Sequence, residues 1–404
     1  MTPATEVTEL DRAPTTARSG RGGVLRRWLR TPGGLTLHRF DTRGGLITVQ
    51  AWIASRGLIA LVALLLAVFT QRDVLAMVNN WDAVHFAELA QHGYGYDPDG
   101  KLMAFFPGLP LMLRAGLIIG IPTQISGMII AGIGSAFAAA ALYRLGGPWA
   151  AVIWLFAPTA VFTTVGYTEA AFCAFAFWAW ERARSDRWLA AALLTACACT
   201  VRVSGLFLVG ALFIMIITTR KISWTPRLRR TGLLLIPIGV LAAYAIYLHS
   251  LSGSWTAWYD AQVTGWYRGF TWPWDSFRNT WAAVQPGAYA DMPYWAWIFR
   301  AEMLSMLVGV LVTVWCLTRK MWAEASWVGV QVLAFSLSYW YMSVNRAVLL
   351  WFPLMIMLAR FGSWRPTSRP AAIAHRALVI IGCVAGVAAM LTWAWLFFCG
   401  YWAS

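Results

Sequence analysis

Residues 47–70 read ITVQAWIASRGLIALVALLLAVFT, an apolar run interrupted by one charged residue, Arg56. A helix of about twenty apolar residues is long enough to cross a hydrocarbon core of about 30 Å. Similar runs recur to the end of the 404-residue chain, which is 59% hydrophobic and only 12% charged. Soluble globular domains carry about 25% charged residues, and disordered chains are far less apolar. The sequence therefore predicts an all-α polytopic membrane protein.

The apolar runs can be placed as about eleven membrane spans. Their bounds are 47–70, 124–144, 148–165, 167–182, 188–202, 203–219, 231–252, 299–318, 324–342, 347–361 and 377–400. Residues 104–120 are instead treated as a helix that lies on or dips into the outer leaflet, because an extra span there would move the basic loop 220–230 outside. Most Lys and Arg residues then share the side of the N-terminus, and such an excess marks the cytoplasmic face.

This topology predicts a plasma-membrane protein with a flexible basic cytoplasmic tail over residues 1–46 and a transmembrane domain over 47–404. Two exoplasmic loops, 72–123 and 253–298, are too long to be simple turns, so the active site is expected there. The second loop is rich in Trp and Tyr. Its rings suit either an interfacial aromatic belt or a surface that stacks on sugars, and both interpretations stay open.

The first exoplasmic loop begins with NNWDAVHFAELAQHG over residues 79–93, which predicts a helix ending at Gly93. At helical spacing Asp82, His85 and His92 share a face. A carboxylate held next to the bilayer can take a proton from an attacking hydroxyl, so Asp82 is a candidate general base. The alternative is that Asp82 only caps the helix.

A metal site built from this segment is a further alternative. Its potential ligands would be Asp82, His85, Glu88 and His92. Their spacing reproduces neither HExxH nor a closed zinc pattern, so we expect no metal.

Three further ionisable residues fall at the edges of predicted spans: Glu169, Arg202 and Arg346. Such groups are costly near a bilayer and point to function by default. Arginines there would suit a lipid-linked phosphate, because a guanidinium matches phosphate oxygens bidentately. Structural pairing, for example of Arg202 with Glu169, is the alternative.

Four segments carry a resemblance to a known family: WDAVHFAELAQHGY (81–94), AFFPGLPL (104–111), FAPTAVFTTVGYTE (156–169) and TVRVSG (200–205). On these motifs the sequence resembles the PIG-V-like mannosyltransferases of the GT-C superfamily. The resemblance implies a GT-C-type helical bundle whose large first exoplasmic loop contains interfacial helices. It also implies an inverting enzyme that moves mannose from a polyprenyl-phosphate carrier to a lipid or glycolipid, forming an α-linkage on the exoplasmic face.

The resemblance also suggests roles for individual residues. The base of this superfamily lies in the first exoplasmic loop and maps to Asp82. From its place on the same helix face, His85 is expected as a second catalytic residue. The expected substrate-binding residues are Glu88, His92, Tyr167, Glu169, Arg202 and Arg346. No cofactor is expected beyond the lipid-linked donor, and no Walker or GxGxxG motif is present.

The expected partners are membrane lipids, the polyprenyl-phosphate sugar and a lipid or glycolipid acceptor, but no nucleic acid. The sequence does not indicate the oligomeric state. Two other functions remain open: a transporter or flippase of lipid-linked sugars, and a non-catalytic subunit of an envelope-glycan complex. Transporters usually show internal repeats, and no convincing repeat is visible here.

Overall fold

The computed structural model describes residues 36–219 and 222–403. Within these residues the protein is helical, which confirms the predicted all-α class. The first nine helices are α1 (Thr42–Thr70), α2 (Val74–Met77), α3 (Asp82–His92), α4 (Gly108–Ile118), α5 (Thr123–Gly146), α6 (Pro148–Leu155), α7 (Thr168–Arg184), α8 (Trp188–Val201) and α9 (Ser204–Thr218). The others are α10 (Trp224–Leu233), α11 (Leu235–Ser252), α12 (Ala257–Trp266), α13 (Pro273–Ala283), α14 (Tyr294–Thr318), α15 (Trp322–Ser336), α16 (Val344–Ala347), α17 (Phe352–Ser363) and α18 (Arg369–Phe398).

Five helical segments of the described chain are long and apolar enough to cross a membrane. They are α1, α5, α10 with α11 as one segment over Trp224–Ser252, α14 and α18. A sixth span is obtained when Val344–Leu350 and Phe352–Ser363, which meet at an angle of 72°, are taken as one broken helix. The protein is therefore a multi-pass membrane protein. The predicted number of about eleven spans is not confirmed, since α8 and α9 are shorter apolar helices.

The predicted span over 148–165 is wrong as a continuous helix. Helix α6 ends at Leu155, and the chain continues through Pro158 into a short 3-10 turn, Ala160–Thr163. Proline has no N–H group and its ring blocks the preceding helical turn, so the helix cannot run through this position. Of the predicted tail, residues 1–35 lie outside the described residues, and α1 begins at Thr42 rather than at residue 47.

The break before α17 is stabilised by two buried indoles. Trp154 Nε1 donates a hydrogen bond to the Leu349 carbonyl at 2.8 Å, and Trp327 Nε1 donates one to the Leu350 carbonyl at 2.9 Å. Carbonyl groups freed by a helix break in an apolar interior need such partners. The two contacts therefore hold the irregular segment that carries Arg346 in a defined position.

The two long loops lie on the same side of the helical bundle and touch each other. Trp258 Nε1 and Gln262 Nε2, both on α12, donate hydrogen bonds to the Ala104 carbonyl at 3.1 and 3.2 Å. Within the first loop, α4 has eleven residues, which corresponds to about 16 Å at 1.5 Å per residue. That length is too short to cross a bilayer, so α4 adds no span within the stretch 104–120. Residues of both loops line one cavity of the protein.

Candidate active site

A cavity of about 810 Å³ opens between the two loops and the helical bundle. Asp82 is the only carboxylate among the described residues that line it. The cationic residues on its wall are Lys101, Arg202, Arg268 and Arg346, and His85 lines it as well. Because the positive charges on the wall outnumber the single negative charge, the cavity attracts anionic ligands, and the low-dielectric surroundings strengthen this attraction.

The main chain directs the Asp82 side chain into this cavity. Trp81 precedes it with a positive φ of 56°, and α3 begins at Asp82 itself. The Asp82 N–H donates a hydrogen bond to the Tyr167 hydroxyl at 3.1 Å, and that hydroxyl donates to the Asn80 carbonyl at 3.2 Å. Tyr167 is thus a positioning residue for the backbone of the candidate base. It was expected to bind substrate, and it also lines the cavity.

Asp82 is paired with Arg346, although the two lie 264 residues apart in the chain. Arg346 Nη1 donates to Asp82 Oδ2 at 2.6 Å. Burial alone would raise the pKa of the Asp82 carboxyl, but the Arg346 guanidinium, with smaller contributions from His85 and Arg268, holds this pKa below its usual value. Asp82 is therefore a charged carboxylate and can accept a proton.

The position of Arg346 is set by a carboxylate that the sequence reasoning missed. Glu302, a fully buried residue of α14, accepts hydrogen bonds from the backbone N–H groups of Ser343 and Asn345, each at 2.9 Å. Ser343 has a positive φ of 66°. These contacts fix the start of α16 and with it the direction of Arg346. An acidic residue within an apolar span was a visible signal for such a role.

The structure pairs Arg202 with Glu169, as the structural alternative proposed. Arg202 Nη1 donates to Glu169 Oε1 at 2.7 Å and to Thr168 Oγ1 at 2.6 Å. Glu169 is fully buried behind the cavity wall, and its Oε1 lies 3.8 Å from Arg346 Nε. The predicted residues Asp82, Glu169, Arg202 and Arg346 thus form one charged network, in which Arg202 and Arg346 also face the cavity.

The other residues predicted on α3 fall into two groups. His85 lines the cavity, and its Nδ1 lies 3.2 Å from Glu88 Oε2, so Glu88 supports His85 from outside the wall. The prediction that His92 shares this site is wrong, because its ring stacks on Tyr96 with centroids 4.4 Å apart, outside the cavity lining. His85 and His92 are seven residues apart, so they share a face of α3 but are separated by about 10 Å along its axis, and only His85 reaches the cavity. Among the described residues no group of three potential ligands is placed to hold a metal ion.

Arg268 is the second residue that the sequence reasoning missed. It follows α12 in the Trp-rich loop and lines the cavity together with Trp258, Trp266 and Tyr267. An arginine in a long loop is usually solvated, so its type and position alone carried no signal. The aromatic loop that surrounds it therefore supplies part of the cavity wall, whichever of its two proposed roles it also plays.

Close packing against Thr200 accounts for the glycine, Gly108, in the AFFPGLPL segment. A Cβ atom at this position would lie 2.6 Å from Thr200 Oγ1 and 2.7 Å from the Thr200 carbonyl oxygen, two residues before Arg202. We therefore expect Gly108→Ala to lower the free energy of unfolding by about 1–3 kcal/mol, as overpacking does. Thermal unfolding in detergent measures this effect. Gly95→Ala, where no atom lies within 4 Å of the added Cβ, is the control. Equal stability of the two variants would contradict the close contact.

Part of the chain is similar in sequence to known mannosyltransferases. Residues 63–250 match the family described as Mannosyltransferase (PIG-V). Over 158 residues the chain is 35% identical to GPI alpha-1,6-mannosyltransferase 2 of Rattus norvegicus and 34% identical to the human protein of that name. These alignments cover 34% of this chain and 32% and 31% of the relatives, so the chain spans about a third of the length of the curated relatives it matches.

Among solved structures, the chain is similar to ArnT from Cupriavidus metallidurans bound to undecaprenyl phosphate. It shares 12% identity and a TM-score of 0.44 over 88% of this chain and 75% of that one. The sequence match is the stronger finding, and the matched segment contains Asp82, Glu169 and Arg202 but ends before Arg268 and Arg346. The segment 63–250 is thus related in sequence to the mannosyltransferase (PIG-V) family.

Proposed function

We propose that this protein is an inverting mannosyltransferase that moves mannose from a polyprenyl-phosphate carrier to a hydroxyl of a lipid or glycolipid on the exoplasmic face. The observation that carries this proposal is the Asp82 carboxylate, which is charged and faces a cavity whose other fixed charges are cationic. A base next to an anion-attracting surface is what displacement of a lipid phosphate by an alcohol requires.

The proposed reaction is a single displacement. The acceptor hydroxyl gives its proton to Asp82 while its oxygen forms a bond to the anomeric carbon of mannose. The bond from that carbon to the phosphate oxygen breaks, and its electron pair leaves with the polyprenyl phosphate. The anomeric configuration is inverted because attack and departure occur on opposite faces. No metal or nucleotide is required, since the phosphate monoester is itself a good leaving group.

The other residues are proposed to hold the substrates. His85, supported by Glu88, orients the transferred sugar, and Tyr167 and Glu169 keep the base and its arginine in place. Arg202 and Arg346 attract the carrier phosphate while remaining paired with carboxylates. His92 receives no role in transfer because it lies outside the cavity.

The test is covalent transfer by the purified protein. Reconstituted in liposomes with polyprenyl-phosphate mannose labelled in the sugar and a total membrane lipid extract as the source of acceptors, it is expected to produce a mannosylated lipid that mass spectrometry detects. Movement of the labelled donor across the bilayer without any transfer would contradict the proposal and favour a flippase. Transfer that requires a second protein would contradict an independent catalytic role.

The pairing with Arg346 predicts a specific pH dependence. The base must be deprotonated, and its lowered pKa keeps it so down to acidic pH. Arg346→Met removes the guanidinium that lowers the pKa of Asp82. The effect of burial, which raises this pKa, is then opposed less strongly, so the pKa of Asp82 rises. We therefore expect the acid limb of the kcat/KM profile to move to higher pH.

The matched control for this profile is Arg278→Met, because Arg278 is 77% exposed and pairs only with Asp275. Its acid limb should coincide with that of the wild type. An Arg346→Met profile with the same acid limb as the wild type would show that Asp82 is not the group that titrates.

A further inference from the structure

The cationic residues of the cavity differ in whether they have a carboxylate partner. Arg202 pairs with Glu169 at 2.7 Å, Arg346 with Asp82 at 2.6 Å, and Lys101 with Asp99 at 2.9 Å. Arg268 is the exception among the described residues, since no carboxylate oxygen lies within 4 Å of it. Its Nη2 atom donates only to neutral oxygens, Ser343 Oγ at 2.9 Å and the Met342 carbonyl at 3.3 Å.

The surroundings of Arg268 make its charge costly in the absence of an anion. Burial lowers the pKa of Arg268 to about 10, and the nearby positive charge of Arg346 acts in the same direction, against the attraction of Asp82. Arg268 remains protonated at neutral pH. An anion in contact with it would relieve both effects, so the site is arranged for a negatively charged ligand.

The backbone holds Arg268 firmly in this position. The Arg268 N–H donates to the Gln262 carbonyl at 3.1 Å, and two residues later the Phe270 N–H donates to the Tyr259 hydroxyl at 2.8 Å. Tyr267, between α12 and Arg268, adopts a positive φ of 54°, which turns the chain back toward the cavity. A hydrogen-bonded turn therefore holds the backbone of Arg268 in a defined position, as a ligand-binding residue requires.

Arg268 also lies close to the base. Its Nη2 and the Nη2 of Arg346 both donate to Ser343 Oγ, at 2.9 and 3.2 Å, and Arg346 in turn contacts Asp82. A phosphate bound by Arg268 would sit beside the group that deprotonates the acceptor. The sugar attached to that phosphate would then have its anomeric carbon within reach of the attacking hydroxyl.

We propose that Arg268 is the principal protein ligand of the phosphate of the lipid-linked donor. This inference rests on the proposed function and refines it: Arg202 and Arg346 are already neutralised by carboxylates, and Arg268 supplies the positive charge that the phosphate neutralises. It also supplies stabilisation to the leaving phosphate as the bond to mannose breaks. The Trp-rich loop is thereby part of the donor site.

The test compares two lipids that differ only in the phosphate. Binding of undecaprenyl phosphate and of undecaprenol to the purified protein in detergent is measured for the wild type, Arg268→Gln and Arg278→Gln. We expect Arg268→Gln to weaken binding of the phosphate by about tenfold to hundredfold, as loss of a charge-assisted hydrogen bond does, and to leave binding of the alcohol unchanged. Arg278→Gln, from the same loop but outside the cavity lining, should bind both lipids as the wild type does.

The possible results separate the inference from the proposed function. A wild-type protein that binds the phosphate no better than the alcohol would overturn the proposed function. A wild type that prefers the phosphate, together with an Arg268→Gln variant that keeps this preference in full, would overturn only the role of Arg268. If Arg268→Gln does not fold, Arg268→Met replaces it, since it also removes the positive charge; loss of the preference for the phosphate supports the inference, and full retention of this preference contradicts it.

Discussion

Asp82→Asn is expected to reduce mannose transfer by about 10²-fold or more while the protein stays folded. The substitution keeps the size of the side chain and its ability to accept a hydrogen bond from Arg346, but an amide cannot take up the proton of the attacking hydroxyl. Loss of a positioned general base typically costs about 10²–10⁴ in rate. The measurement is kcat for the purified enzyme at saturating donor, with thermal unfolding recorded on the same sample.

The control for this variant is Asp275→Asn. Asp275 also lies in the first turn of a helix on the same side of the protein, α13, but it pairs with an exposed arginine and does not line the cavity. Its rate should match the wild type. A rate for Asp82→Asn within a factor of a few of the wild type would exclude Asp82 as the base, whatever the binding of the lipids.

Glu169→Gln is expected to cause the largest loss of stability. Glu169 is fully buried and balances the charge of Arg202 at 2.7 Å, with Arg346 3.8 Å away. Removing one partner of a buried ion pair leaves the other charge uncompensated and costs about 3–5 kcal/mol. We expect the free energy of unfolding in detergent to fall by this amount, and transfer to fall with it because Arg346 loses one of its anchors.

A double-mutant cycle identifies the cause of that loss. Glu169→Gln combined with Arg202→Gln removes both charges, so it should be less destabilising than the sum of the two single variants. Asp275→Asn, which breaks an exposed pair, should cost about 1 kcal/mol or less. Additive single effects in the cycle would show that Glu169 and Arg202 stabilise the protein independently of each other.

The network around Asp82 shows how far sequence reasoning extends. Asp82, Glu169, Arg202 and Arg346 were each identifiable, because a charged residue at the edge of an apolar run is rare and costly. Their pairing was only partly foreseen: contact of Arg202 with Glu169 was an alternative, and contact of Arg346 with Asp82 was not considered. The helix of residues 79–93 was also predicted, yet its periodicity alone grouped His92 with Asp82, and the structure places His92 elsewhere.

Glu302 and Arg268 show the opposite limit. Glu302 lies within an apolar span, so its type was a signal, but its function depends on the backbone N–H groups of a segment about forty residues away. Arg268 lies in a loop where arginine is ordinary. Only the turn at Tyr267 and the contact with Ser343 place it in the cavity.

By itself, the sequence determined that this is a helical membrane protein, that an acidic residue opens the helix after the first span, and which family its first half resembles. These are properties of neighbouring residues, since hydrophobicity, helical spacing and motifs act over short stretches of chain. The tertiary structure decided which arginine holds the base, which one lacks a carboxylate partner among the described residues, and where the long apolar runs break. Those outcomes depend on contacts between residues far apart in the chain, such as Asp82 and Arg346 across 264 positions, and the packing of whole helices sets such contacts.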